Sequence, residues 1–306
     1  MADTAPAQSA VTSASPAVPL RDRLVVQHPS LATAAVDAFS RLIGFRPVQR
    51  EPTLAVWDAV GLDAVGLGAP GVRELAEACQ VDAALVPAQA RLRDFRLLVF
   101  DMDSTLITIE CIDEIADFAG RKAEVAAITE AAMRGDIADY DESLRRRVAL
   151  LAGLDCAVLQ RVFDERLRLS PGAEKLLGAA ARVGLKTLLV SGGFTYFTDR
   201  LKVQLKLDYA QSNTLQIDAA GQLTGRVTGP IVNADAKARA LLATCRQIGC
   251  EPMQAVVLGD GANDLKMMSL GGVSVAYRAK PVVRSQTTFA INHCGLDALL
   301  NLLRPD

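Results

Sequence analysis

The chain has 306 residues, 50% of them hydrophobic and 22% charged, with a formal net charge of -2. That length allows about two domains with cores of their own, and the composition is that of an ordinary globular protein. A charge so near zero gives no footprint for nucleic acid, and no apolar run approaches the ~20 residues a membrane-spanning helix needs, so neither partner is expected.

The opening stretch, MADTAPAQSAVTSASPAVPL, has neither the basic start nor the compact apolar core of a secretory signal. Residues 1–22 are expected to form a flexible Ala/Ser/Pro tail. Residues 23–92 read as a separate small unit. In it RLVVQH predicts a strand, PSLATAAVDAFSRLIG a helix, PVQREP and TLAVWDAV two strands that can pair, GVRELAEACQ a helix and VDAALVP a last strand. The order βαββαβ predicts a ferredoxin-like α+β fold.

Residues 93–306 alternate apolar runs with amphipathic segments. RLLVFD (96–101), KTLLVSGG (186–193), QAVVLGDGAND (254–264) and GVSVAY (272–277) each read as a buried parallel strand. Between them AEKLLGAAARVG and ADAKARALLATCRQIG read as helices closed by a C-terminal glycine. Strands separated by helices predict an α/β fold with a doubly wound parallel sheet, whose ligands sit beyond the carboxyl ends of the strands. Residues from about 110 to 170 read instead as successive helices, inserted after the first strand where they would act as a lid. LQIDAAGQLTGRV (215–227) reads as a β-hairpin.

Cys79, Cys111, Cys156, Cys245, Cys250 and Cys294 are scattered, without a C-x-x-C pair or a histidine at zinc-finger spacing. They predict reduced thiols filling small apolar spaces, and a cytoplasmic location. The two histidines, His28 and His293, lie in no catalytic context, so Ser/His and Cys/His mechanisms lack raw material. Phosphate loops of the C-x5-R and G-x-x-x-x-G-K-[ST] types are absent too, which leaves chemistry to carboxylates.

Asp101-Met102-Asp103-Ser104-Thr105 directly follows the first strand of this part. Alone, such a run is most simply a polar loop with a helix cap. Here it is joined by Ser191-Gly192-Gly193 after a second strand, by Lys237 early in a helix, and by Gly259-Asp260-Gly261-Ala262-Asn263-Asp264 after a third strand. Polar residues ending three buried strands would converge on one place.

These four elements resemble the signature of the haloacid-dehalogenase superfamily of phosphohydrolases. Further stretches, DMDSTLITIECIDEIA, MRGDIADYDESLRRRVALLAGL, SGGF and LGDGANDLKMM, resemble the branch that acts on phosphoserine, over roughly residues 95–300. The resemblance implies a doubly wound core with an inserted helical cap. It also implies hydrolysis of O-phospho-L-serine, the last step of serine biosynthesis, through an aspartyl-phosphate with Mg2+ as cofactor. A phosphate monoester dianion repels an attacking carboxylate, so positive charge is required, and hard oxygen ligands suit Mg2+. By resemblance the ligands are the Asp101 carboxylate, the Asp103 carbonyl and the Asp260 carboxylate, with Asp264 behind them. Asp101 is implied as nucleophile and Asp103 as general acid and then base. Lys237, Ser191, Gly192 and Asn263 are implied around the phosphoryl group.

In the cap, Glu110 and Arg147 match the family's residues for the ammonium and carboxylate of the substrate. Arg147, rather than Arg145 or Arg146, lies seven residues beyond Tyr140 in an aromatic–x6–Arg pattern. Phe is more usual than Tyr140 there, and Asp is commoner than Asn233 before the lysine motif. Met133 resembles a cap residue that packs near the substrate. The N-terminal unit resembles the ligand-sensing ACT domain, which implies pairing with a second copy in a homodimer. Two other readings stand beside the main one: a related phosphatase or phosphotransferase for another small phosphomonoester, and an amino-acid-sensing regulatory protein.

Overall fold

The computed structural model describes residues 22–59, 68–134 and 136–305. The expected tail over residues 1–21 and the side chain of Met133 lie outside the described residues. The chain opens with β1 (Asp22–Gln27), α1 (Thr33–Ile43), β2 (Gln49–Glu51), β3 (Leu54–Ala59), α2 (Gly68–Cys79) and β4 (Asp82–Pro87). After β5 (Leu97–Phe100) come the cap helices α3 (Cys111–Asp117), α4 (Lys122–Arg134), α5 (Tyr140–Ala149) and α6 (Ala157–Arg161). The core resumes with α7 (Ala173–Arg182), β6 (Lys186–Phe194), α8 (Thr195–Leu205), β7 (Tyr209–Ile217), β8 (Leu223–Thr228) and α9 (Ala234–Ile248). It closes with β9 (Ala255–Gly259), α10 (Leu265–Met268), β10 (Val273–Tyr277), α11 (Pro281–Arg284), β11 (Phe289–Ile291) and α12 (Leu299–Leu302).

The first six elements form an antiparallel sheet in the order β2-β3-β1-β4, the ferredoxin-like arrangement. Side chains alternate across a strand, so Leu24 and Val26 of β1 pack with Phe39 and Trp57 beneath the helices. Val25 points the other way and joins Val56, Ala84 and Val86 in the apolar core of the rest of the chain. Because both faces are covered, β1 reads as a continuous apolar run. The unit expected to be separate therefore has its own sheet but shares a core with its neighbour. Polar contacts pin the joint: Arg23 donates to the Leu302 carbonyl at 3.2 Å, and Asn301 to Gln27 at 2.7 Å. The buried Asp82 carboxylate accepts the backbone N–H groups of Asn292, His293 and Cys294 at 2.7–3.2 Å.

The second sheet runs β11-β10-β9-β5-β6-β7-β8, parallel throughout except for β8. All four residues of β5 are buried, as a central strand covered on both faces requires. β5 pairs with β6 on one side and β9 on the other, with Phe100 opposite Leu189 and Leu258. That register sets Asp101, Ser191 and Asp260 within a residue or two of the same sheet edge. The short β11 gives no sequence signal, because three residues are too few to show a period.

The β7–β8 hairpin turns at Asp218, whose carboxylate accepts from the backbone of Ala220 and Gln222 at 2.9 Å. It also braces the cap. Gly153 donates to the Leu223 carbonyl at 2.8 Å, Leu223 to that of Leu154 at 2.8 Å, and Cys156 to that of Gly221 at 2.9 Å. Gly225 makes this approach feasible: its φ is +75°, and a Cβ there would stand 2.9 Å from the Ala152 side chain. Among the described residues no helix is long and apolar enough to cross a membrane.

Candidate active site

Past β5 the backbone makes one wide turn, with Leu106 N–H bonding back to the Asp101 carbonyl and Ile107 N–H to that of Met102. Ser104 at its centre has φ +54°, a conformation uncommon outside glycine that clusters where function sets the geometry. The turn sets Asp101 and Asp103 on one side and lets Asp101 N–H continue the ladder to Leu258 at 3.0 Å.

Lys237, four residues into α9, is 1% exposed and lies 2.7 Å from both Asp101 Oδ1 and Asp264 Oδ1. Asp264 uses its other oxygen to accept from Gly261 N–H at 3.1 Å, which folds the loop after β9 over the site. Asp260 stands beside them and accepts a long hydrogen bond from Thr105 at 3.4 Å. Oxygens of Asp101, Asp260 and Asp264 all lie within 4.8 Å of one another. One ammonium faces three carboxylates, and the imbalance shows in their titration. Burial first, then Asp264, push Asp101 well above the usual carboxylate range despite Lys237. The same two causes push Asp260 up to about 7. Burial works against the Lys237 ammonium, but Asp101 and Asp264 outweigh it and hold it above its ordinary value. Hard oxygen donors with uncompensated negative charge are what a divalent cation of the Mg2+ class fits.

Asp103 is held at both oxygens. Oδ1 accepts from Cys111 N–H at 3.0 Å, and Oδ2 lies 3.5 Å from the Ser191 hydroxyl. Burial raises its carboxyl above the ordinary value. Ser191 is fully buried and accepts from Gly193 N–H at 2.8 Å. A Cβ on Gly193 would come 2.6 Å from Asp103 Oδ2, so this position needs glycine for close approach alone. Asn213 on β7 fixes the loop from behind, donating to the Gly192 carbonyl at 2.7 Å and accepting from Val232 N–H at 2.8 Å. Sequence reasoning missed Asn213. Its one signal is a buried amide in a strand, which must be fully hydrogen-bonded to sit there.

The cap supplies two more polar groups. Glu110 accepts from the Ser104 hydroxyl at 2.6 Å. Its residue keeps surface in solvent, yet burial of the carboxyl group, then Asp103 and Asp260, push it up to about 8. Of the three consecutive arginines, Arg146 pairs with Glu142 at 2.7 Å and Arg145 lies 4.0 Å from Asp141, both on the exposed face of α5. Arg147 turns inward, half-buried, with no carboxylate partner among the described residues and its charge felt by Asp113 and Tyr140. Asn263 sits in the loop after β9 with its amide oxygen turned back on Gly261. Asp101, Asp103, Ser191, Lys237, Asp260 and Asp264 thus form one cluster, with Gly192 at its edge and Glu110 on the cap side.

A family model for haloacid dehalogenase-like hydrolases matches residues 98–269. A phosphoserine phosphatase from Polaromonas is 59% identical over 218 residues, which cover 70% of this chain and 92% of that one. Among solved structures, an unliganded probable phosphoserine phosphatase from Vibrio cholerae is 38% identical, with a TM-score of 0.77 over 93% of this chain and 86% of that one. A phosphoserine phosphatase solved as a phospho-aspartyl intermediate analogue is 35% identical, with a TM-score of 0.64 over 69% of this chain and 99% of that one.

Proposed function

This chain belongs to the haloacid dehalogenase-like hydrolase family, and from that premise we propose that it hydrolyses O-phospho-L-serine to serine and phosphate through an aspartyl-phosphate on Asp101. The observation that carries the assignment is the buried Asp101–Lys237–Asp264 bridge beside Asp103 and Asp260, at the carboxyl edge of three adjacent strands. Lys237 ties Asp101 Oδ1, so the carboxylate has one orientation and need not search for its line of attack. Asp103, whose carboxyl burial raises above its ordinary value, gives a proton to the departing seryl oxygen and later takes one from the attacking water. Ser191 and the loop at Gly192 bind the phosphoryl oxygens, with Asn263 on the same side. The Asp101 and Asp260 carboxylates and the Asp103 carbonyl would hold Mg2+, backed by Asp264, and the ion would supply the positive charge that a dianionic ester demands.

Substrate choice falls to the cap. Arg147 is the inward cation left free to meet a carboxylate, and Glu110 is the acid placed to meet an ammonium. A homodimer belongs to the same reading, supported by the exposed edge strand β2 and by the exposed Phe45 and Val48 beside it. So does a cytoplasmic setting, supported by six unpaired thiols.

Phosphate release from L-phosphoserine tests the assignment, with wild type and Asp101→Asn, in Mg2+ and in excess chelator. Release that disappears in the variant and in chelator is the expected outcome; full activity in Asp101→Asn sinks the nucleophile. Arg147→Ala should raise KM for phosphoserine by about tenfold or more, as loss of a charge-assisted contact predicts, and leave a monoester without a carboxylate unaffected. Equal effects on both would remove Arg147 from substrate selection.

A further inference from the structure

Tyr140 opens α5 and reaches from the cap onto the core. Its hydroxyl occupies the space that a Cβ on Gly192 would fill. The charged groups acting on it are Lys237, Arg147, Asp101 and Asp103, the membership of the site itself. Among the described residues this hydroxyl has no hydrogen-bond partner. Burial pushes the phenol above its ordinary value, so it is protonated at neutral pH and carries one O–H to donate. A half-buried donor that faces the site without a protein partner is available to an acceptor that arrives there. The hydroxyl stands against Gly192, next in the chain to Ser191.

The next residue ties the cap to the core. Asp141 accepts a hydrogen bond from Asn233 Nδ2 at 2.9 Å. Asn233 is also the N-cap of α9, accepting from Ala236 N–H at 3.1 Å, and α9 carries Lys237 one turn later. An aspartate at 233 would cap the helix equally well but would set two carboxylates face to face. The amide is what allows both contacts.

We propose that Tyr140 is a phosphoryl-binding residue, its hydroxyl donating to a non-bridging phosphoryl oxygen, while the Asn233–Asp141 hydrogen bond holds α5 against the core so that it can. The proposal rests on the phosphatase reading above, and its test separates the two. Wild type, Tyr140→Phe, Asn233→Asp and the exchanged pair Asn233→Asp/Asp141→Asn are compared in kcat and KM for phosphoserine and in the Kd of inorganic phosphate, measured calorimetrically with Mg2+ present. Tyr140→Phe should weaken phosphate binding and kcat/KM by about tenfold, which is about 1.4 kcal/mol, without lowering Tm. Asn233→Asp should weaken phosphate binding several-fold, and the exchanged pair should restore it, which a merely structural cap would not do. Wild-type phosphate affinity in Tyr140→Phe overturns the proposal, as does a loss confined to KM for phosphoserine, which would put the hydroxyl at the amino-acid end. Wild-type affinity in Asn233→Asp, or no recovery in the exchanged pair, overturns the tie between cap and core. A wild-type protein inert toward phosphoserine would defeat the substrate assignment alone, since phosphate affinity still judges Tyr140.

Discussion

Replacing Lys237 with methionine removes the one buried cation that two carboxylates share, at 2.7 Å each, and leaves a side chain of similar length in its place. Breaking a buried ion pair by deleting one partner costs about 3–5 kcal/mol, because the remaining charge has lost its compensation and cannot reach water. Here two charges are stranded, with Asp260 close by as a third. Asp101 responds by holding its proton, rising still further above its unfolded value. A carboxyl raised in the folded state contributes stability that is present at low pH and lost as pH climbs through its folded pKa. The deficit of Lys237→Met relative to wild type should therefore be small near pH 5 and largest near pH 8, reaching about 3 kcal/mol or more by urea titration in metal-free buffer. Activity should fall by about 10²–10³ in kcat, the scale of a lost preorganised electrostatic contact. Adding Asp264→Asn to the lysine variant removes one stranded charge and should recover part of the stability without recovering the rate. Stability within about 0.5 kcal/mol of wild type at pH 8 would refute the reasoning, since that is the range of an ordinary surface substitution.

Metal affinity should depend on pH for the same electrostatic reason. Asp260 is raised from 3.8 to about 7 before any cation binds, so below that pH a divalent ion must displace a proton. Apparent Mg2+ affinity should climb between about pH 5 and 7 and then level off, with proton release visible as buffer-dependent calorimetric heat; an affinity flat across that span would contradict the assignment. Asn213→Ala should cost about 1–3 kcal/mol by leaving the Gly192 carbonyl and Val232 N–H unsatisfied, and lower kcat as well because the phosphate loop loses its backing; unchanged kinetics would make Asn213 purely structural. Asp82→Ala should lower the urea midpoint through a loss of about 1.5–3 kcal/mol of unfolding free energy, the range for a charged acceptor, here of three N–H groups, while kcat stays at the wild-type value. An unchanged midpoint would mean that this joint contributes nothing.

The order of strands and helices was legible because buried parallel strands are continuous apolar runs and amphipathic helices repeat every 3.6 residues, both properties of neighbours in the chain. The same locality exposed the polar residues at strand ends, so Asp101, Ser191 and Asp260 could be named before any contact was known, whereas Lys237, early in a helix, was picked out by its resemblance to the family's motif. Tertiary structure decided the rest. Placing β5 between β6 and β9 turns four separated stretches into one cluster, and that pairing joins residues more than 80 positions apart, such as Asp103 and Ser191. Packing also decides which of three consecutive arginines faces inward, since Arg145 and Arg146 have carboxylates one helical turn away and Arg147 has none. The partners of Asn213, the bracing of the cap by the β7–β8 hairpin and the core shared by both sheets had no local signature. A side chain's own sequence sets its period and its chemistry, whereas its partners depend on which surfaces the whole chain brings together and on where water is excluded.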